Sequence, residues 1–468
     1  VFQEYQDVSN IDMKKLLGSK IKNGKGIRKA FILIHRYVGL VMAVFLVIAG
    51  LTGSLITFYH ELDAAINPSL MKVEPPHENA QLMNPFQLQE KVAQQLPGSV
   101  IGWVPLEQKP DEATVYYVDW EDKSESRDSD WFVNPYTAEI LGSRTWGVIS
   151  QGKKNLMPFI YRLHYSLALG TVGSYIFGII ALLWNIDCFV GAYITFPPPS
   201  PKKRTPKEWF YRWKPSWLVR ANKLFVFLFT FHRAAGLWVW AMLFVFAWSS
   251  VGLNLHEVYN PVMKATFGME KPVYQQIDKL EKPLYSPKIS WEEAYDLSKK
   301  HMTTQAQQKG FEMQGEQGLR YRVAKGYYQY NVRSSLDISE KRPNTSIYLD
   351  ATTGALIALD APTGQHTGTT ISKWLYHLHW ADIKYLGLPY RIFVTLLGIV
   401  VAFLSVSGVW IWLKKRKGRK RSEKRGHHEN GVNKKEKAQH ILSSTLKKGK
   451  GSIRKDRLIS VDKEDNLI

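Results

Sequence analysis

Four stretches of the chain are long, apolar and almost free of charge: Ala30–Tyr59, Leu163–Phe196, Leu224–Leu255 and Arg391–Leu413. A helix needs about 20 apolar residues to cross ~30 Å of hydrocarbon, and each stretch supplies them. Val38 to Phe58 holds no acidic or basic side chain at all. Backbone polar groups in lipid must be satisfied within the segment, so these runs are read as four membrane-spanning helices. The chain opens Val-Phe-Gln-Glu-Tyr-Gln with no apolar core region behind it, and no cleavable signal peptide is expected.

The charge sorts itself around those runs. Lys and Arg number 62 against 41 Asp and Glu, a formal net charge of +21. Of the 62, seven precede Ala30, eight lie in residues 197–223 and nineteen follow Leu413. With four crossings these three segments share one side, which the positive-inside rule makes cytoplasmic. The excess charge is therefore a topology signal, with the lipid membrane as partner and no nucleic acid. The expected order is a cytoplasmic segment 1–29, spans 30–59 and 163–196 around an outer insertion 60–160, and a cytoplasmic loop 197–223. Span 224–255, a second outer insertion 256–373, a lead-in with the fourth span over 374–413, and a basic tail 414–468 complete it.

Both insertions are large enough for a small mixed domain. In the first, Asn84–Gln95 reads as a helix, Thr114–Trp120 as a strand, and Trp131–Leu141 as strand, turn, strand. The second repeats the plan, with Ser290–His301 as helix, Tyr327–Val332 as strand, and Ser346–Ile357 as two strands about Asp-Ala-Thr-Thr-Gly.

The chain is two copies of one unit. His35-Arg36-Tyr37-Val38-Gly39-Leu40 opens the first span and His232-Arg233-Ala234-Ala235-Gly236-Leu237 lies in the third. Beyond the spans, His60-Glu61 matches His256-Glu257, and Leu163-His164 matches Leu378-His379. Two copies that start on the same side are parallel repeats about an axis along the membrane normal. A symmetric planar ligand on that axis, such as a haem with two axial imidazoles, takes one histidine from each half. The repeat thus predicts His35 with His232 near the cytoplasmic face and His164 with His379 near the outer face. Intramembrane ionisable groups are functional candidates by default. Cys188 is the single cysteine, which rules out a Cys-x-x-Cys-His attachment, so any haem is held non-covalently by side chains. Arg36 and Arg233 are candidates for the haem propionates. Gly39, Gly50, Gly53, Gly236 and Gly252 permit close approach of a macrocycle or a helix, and Trp184, Trp240 and Trp248 are candidates for positions between two haems. His377 cannot point the same way as His379, two residues on; it, His60 and His256 are secondary candidates. Asp187 is read as a hydrated acid or a proton relay.

Taken together, the two His-Arg-x-x-Gly-Leu openings, the paired Leu-His, Gly-Leu-Pro-Tyr-Arg at 387–391, Asn-Pro-Tyr-Thr-Ala-Glu-Ile-Leu and Asp-Ala-Thr-Thr-Gly-Ala-Leu resemble the PepSY-associated transmembrane family, which includes bacterial siderophore reductases. The resemblance covers about residues 30–414. It implies a membrane all-α four-helix bundle of two parallel repeats with two periplasmic α+β PepSY-like domains. It also implies an inner-membrane oxidoreductase with two haem b that passes electrons to a ferric siderophore in the periplasm. No flavin or nicotinamide fingerprint is present, so a quinol or cytosolic reductant is the expected donor, and the long basic tail is a candidate docking segment for it. Two other classes fit the same sequence: a haem-free scaffold that regulates a protease or peptide partner, and a small transporter.

Overall fold

A computed structural model describes residues 24–120, 128–198, 200, 204–342 and 344–449. The expected cytoplasmic segment up to residue 23, and the tail beyond 449, lie outside the described residues. The chain divides into two units between Val409 and Trp410.

The described residues begin with α1 (Gly24–Ile56), followed by α2 (Tyr59–Ile66), α3 (Pro68–Met71) and α4 (Pro85–Gln95). Asn84 caps α4: its side-chain oxygen accepts from the N–H groups of Phe86 and Gln87, with Pro85 at the first helical position. Strands β1 (Ser99–Ile101), β2 (Trp103–Pro105), β3 (Thr114–Trp120), β4 (Asp130–Val133) and β5 (Ile140–Arg144) lead to α5 (Leu156–Ser166) and α6 (Gly170–Thr195). Next come α7 (Pro206–Trp213), α8 (Leu224–Trp238), α9 (Trp240–Asn254), α10 (His256–Phe267), α11 (Val273–Gln276) and α12 (Trp291–Lys309). Then β6 (Met313–Arg322), β7 (Tyr327–Ser334), β8 (Thr345–Asp350) and β9 (Leu356–Asp360) precede α13 (Thr367–His379) and α14 (Gly387–Gly449).

Three helical stretches, Gly26–Ile56, Gly170–Thr195 and Gly387–Ser422, are long and apolar enough to cross a membrane; α8 and α9 count as a fourth if the pair is one span. This fourth candidate is not straight. It bends by 69° at Val239, where two tryptophans are anchored to different segments: Trp238 donates its indole N–H to Trp217 O and Trp240 to Cys188 O. The second expected span is also shorter than Leu163–Phe196. Leu167 and Ala168 take left-handed backbone with φ of 53° and 56°, which breaks the helix after Ser166 and puts His164 on a separate helix, α5. Small residues allow close crossing of α1 and α14: a Cβ at Gly50 would lie 2.5 Å from Gly398 O, and Ser54 Oγ donates to Thr395 O at 2.8 Å. In the second unit Lys414 lies over Trp410 and Arg416 over Trp412, the cation–aromatic pairing usual at a membrane boundary.

The two insertions form antiparallel sheets of order β1-β3-β4-β5 and β2-β6-β7-β8-β9. One strand is shared across them. Strand β2 from the first insertion pairs with β6 of the second, Val104 opposite Leu319, because Gly318 leaves room for the Trp103 indole, 2.3 Å from where a Cβ would stand. Helix α4 packs Leu88 and Val92 on the first sheet and α12 packs Ala294 and Met302 on the second. Ser290 caps α12 by accepting from Glu293 N–H, and the Asp-Ala-Thr-Thr-Gly turn closes on Asp350 Oδ1, which accepts from Thr352 and Thr353 N–H.

Candidate functional site

The four matched histidines meet in the predicted pairs. His35 on α1 faces His232 on α8 with ring centroids 6.2 Å apart and planes at 64°. His164 on α5 faces His379 on α13 at 6.3 Å and 78°. Two imidazoles bound through Nε2 to opposite sides of one metal, at about 2 Å each, hold their ring centroids about 6 Å apart. Both pairs have that spacing.

The hydrogen bonds settle which nitrogen is the donor. His164 Nδ1 lies 3.0 Å from Thr52 Oγ1, whose own proton goes to Ile48 O at 2.6 Å. His379 Nδ1 lies 2.7 Å from Ser249 Oγ, which donates to Val245 O at 2.6 Å. His232 Nδ1 lies 3.0 Å from Ser407 Oγ, which donates to Leu404 O. A hydroxyl whose proton is committed to a carbonyl accepts, so each ring carries its proton on Nδ1. His35 Nδ1 bonds both oxygens of Asp187, at 3.0 and 2.9 Å, and a carboxylate likewise accepts. In the neutral form of each ring Nε2 is then the nitrogen that can ligate a metal, while the outer-shell bond at Nδ1 fixes ring orientation. Asp187 is buried against His35, not hydrated at the boundary.

Glycines make room for two of the rings: a Cβ at Gly53 would lie 2.9 Å from His164 Cε1 and at Gly408 3.3 Å from His232 Cε1, while Gly191 faces His35 at a distance that would admit one. Gly39 and Gly236, one turn beyond His35 and His232 on the same helix faces, have no atom within 4 Å of a Cβ position. Gly50 and Gly252 instead serve packing, against Gly398 and Tyr376. Beside the second pair lies a cavity of about 390 Å³ lined by both histidines, Gly50, Gly53, Trp184, Phe246, Trp380 and Arg342. Of the three tryptophans, Trp184 reaches this cavity, one turn from Asp187 and hence between the pairs; Trp248 packs on Tyr259. His35 and Thr52 share α1, which separates the pairs by about 25 Å along its axis at 1.5 Å per residue.

The remaining candidates lie elsewhere. His377 is fully buried, its Nε2 accepts from Asn344 Nδ2 at 2.9 Å, and burial pushes its pKa down to about 4. His379, not His377, thus meets His164. His60 bonds Glu112 at 3.0 Å in a second chamber of about 300 Å³, which shares Tyr161 and Arg342 with the first cavity. His256 is exposed and starts α10. Arg233 donates to Pro215 O and lies over Phe229, while Arg36 is half-buried beside His35 in sequence. The sequence reading missed Thr52, Ser249, Ser407 and Arg342. The first two carried a signal, since Thr52 follows His35 at the same spacing as Ser249 follows His232.

The family model of the PepSY-associated TM region matches residues 32–415. The chain therefore belongs to that family and is a membrane protein of the PepSY-TM type. No curated protein matches it.

Proposed function

We propose that the chain is a dihaem b-type electron-transfer protein of a bacterial inner membrane that reduces a ferric siderophore on the periplasmic side and releases Fe(II). The observation that carries this reading is the pair of facing histidine sets at 6.2 and 6.3 Å, each ring held at Nδ1 by a hydroxyl or carboxylate. Two imidazoles suit a metal that brings its four equatorial ligands with it, as haem iron does. When bound, the two haems supply one-electron chemistry. His35 with His232 and His164 with His379 would hold them, and Arg36 and Arg233 would be the candidates to pair with carboxylates of the first.

The chain's own contribution is positional. Four spans, arranged as a bundle of two parallel repeats, hold the two sites at different depths, with both termini cytoplasmic and the two sheet-bearing PepSY-like insertions forming a periplasmic vestibule. Thr52, Ser249, Ser407 and Asp187 keep the imidazoles oriented, Trp184 fills the space between the sites, and apolar surroundings exclude water. Reduction of one ferric chelate takes one electron from the donor; a quinol that releases two electrons and two protons serves two chelates. Hard oxygen chelators hold Fe(II) less tightly than Fe(III), so the metal departs. The reading is tested by mixing the dithionite-reduced, detergent-purified protein with a ferric trihydroxamate and an Fe(II)-trapping dye. Reoxidation of the protein together with dye complex in equal electron count supports it; a reduced protein that stays reduced contradicts it.

A further inference from the structure

Three of the four imidazoles lean on a neutral hydroxyl, and one leans on a carboxylate. We propose that Asp187 is a positioning and tuning residue that gives the His35/His232 site the lower reduction potential of the two, and so makes electron flow toward the His164/His379 site downhill. This rests on the dihaem reading above.

The argument starts from the contact. Both Asp187 oxygens lie within 3.0 Å of His35 Nδ1, and the carboxylate side chain is 9% exposed. Among the described residues His35 is its one ion-pair partner. Arg28 donates to Ile194 O and Phe196 O, and Arg233 to Pro215 O, so neither of these two pairs with the carboxylate. An acidic residue this buried in an apolar span is costly unless it is paired. A carboxylate that accepts from Nδ1–H makes the ring a stronger donor at Nε2 and places negative charge near the metal. Both effects favour Fe(III) over Fe(II) and lower the potential. At the other site the corresponding acceptors, Thr52 and Ser249, are neutral, and each gives its own proton to a backbone carbonyl, so neither contributes a full charge. In the other half of the first site the acceptor is Ser407, which is neutral too and comes from a different position of its span, one residue before Gly408 where Asp187 stands four before Gly191. The two halves thus differ electrically at the Nδ1 acceptor of this site.

The test is a redox titration of the detergent-purified holoprotein, followed in the visible spectrum, for wild type, Asp187→Asn, Asp187→Glu and Thr52→Val. The expected result is two resolved couples in wild type, with the lower one raised in Asp187→Asn and the upper one left in place. Thr52→Val moves the upper couple, and by less. Should Asp187→Asn shed one haem, Asp187→Glu is expected to restore it at its low potential. Two haems retained in Asp187→Asn with both couples unmoved overturns the inference and leaves the dihaem reading standing. Wild-type protein that binds no haem overturns the dihaem reading itself, so the two failures are distinguishable.

Discussion

At the residue scale the site depends on small groups as much as on histidines. A methyl at Gly53 would stand 2.9 Å from His164 Cε1, closer than van der Waals contact, and the helix backbone cannot move without disturbing the crossing at Gly50 and Gly398. Gly53→Ala is therefore expected to turn the His164 ring and reduce haem content from two per chain to about one, read by pyridine haemochrome. Unchanged content would mean that the ring is not a ligand there. Thr52→Val keeps the volume and removes the acceptor for Nδ1–H, and loss of such an outer-shell bond typically weakens metal affinity by about 10–100-fold. Glu61 gives a different kind of prediction. Arg391 donates to both its oxygens at 2.7 and 2.8 Å and holds its pKa down to about 2, while also donating to Thr57 O at the end of α1 and stacking on Phe58. A carboxyl whose folded pKa is depressed stabilises fully above its unfolded value and loses that contribution as pH falls. Thermal melts of wild type and Glu61→Gln should differ most near pH 7 and converge as pH drops from about 5 toward 2; a difference that grows with acid would contradict the assignment.

At the scale of elements, much was legible where chemistry is local. Asn84 and Ser290 announce helix starts, the Asp350 turn announces a strand pair, and two His-Arg-x-x-Gly-Leu copies announce matched helices. Where tertiary contact overrides local preference, the sequence is silent. Gly170 marks an interruption of the apolar run, but neither of the left-handed residues Leu167 and Ala168 is a glycine, and nothing near Val239 signals a bend of 69° except two tryptophans whose partners lie far off in the chain. The exchange of β2 into the second sheet depends on Gly318 making space for Trp103, a cross-insertion contact that no local pattern encodes. A buried ion triad joins α2 to the first sheet: Arg144 donates to Asp63 at 2.8 Å and to Asp130 at 3.3 Å, with side chains of 5% exposure or less. Removing the cation leaves two buried carboxyls without their partner, so Arg144→Leu should destabilise the protein by about 3–5 kcal/mol. Denaturant titration followed by tryptophan fluorescence measures this. Adding Asp63→Asn and Asp130→Asn should recover a large part of the loss, and failure to recover would show that packing of Arg144 over Phe132, 5.0 Å away, carries the effect.

At the scale of the whole molecule, the duplication is what makes the site legible in the sequence. One unit supplies half of each site, so residues far apart along the chain are matched by repeat position, and the pairing of His35 with His232 and His164 with His379 follows. What the repeat does not reveal is where the halves differ: His35 is held by Asp187 while His232 is held by Ser407 from another position of its span, and His377, which stands where the first half has Arg162, is held by Asn344 away from the pair. The most direct measurement is a reduced-minus-oxidised visible spectrum with pyridine haemochrome quantification on detergent-purified protein expressed with ample haem. The account predicts two b-type haems per chain, falling to about one in either His35→Ala or His379→Ala and staying at two in His377→Ala. Protein that carries no haem under those conditions, or that keeps both haems without His379, would contradict it.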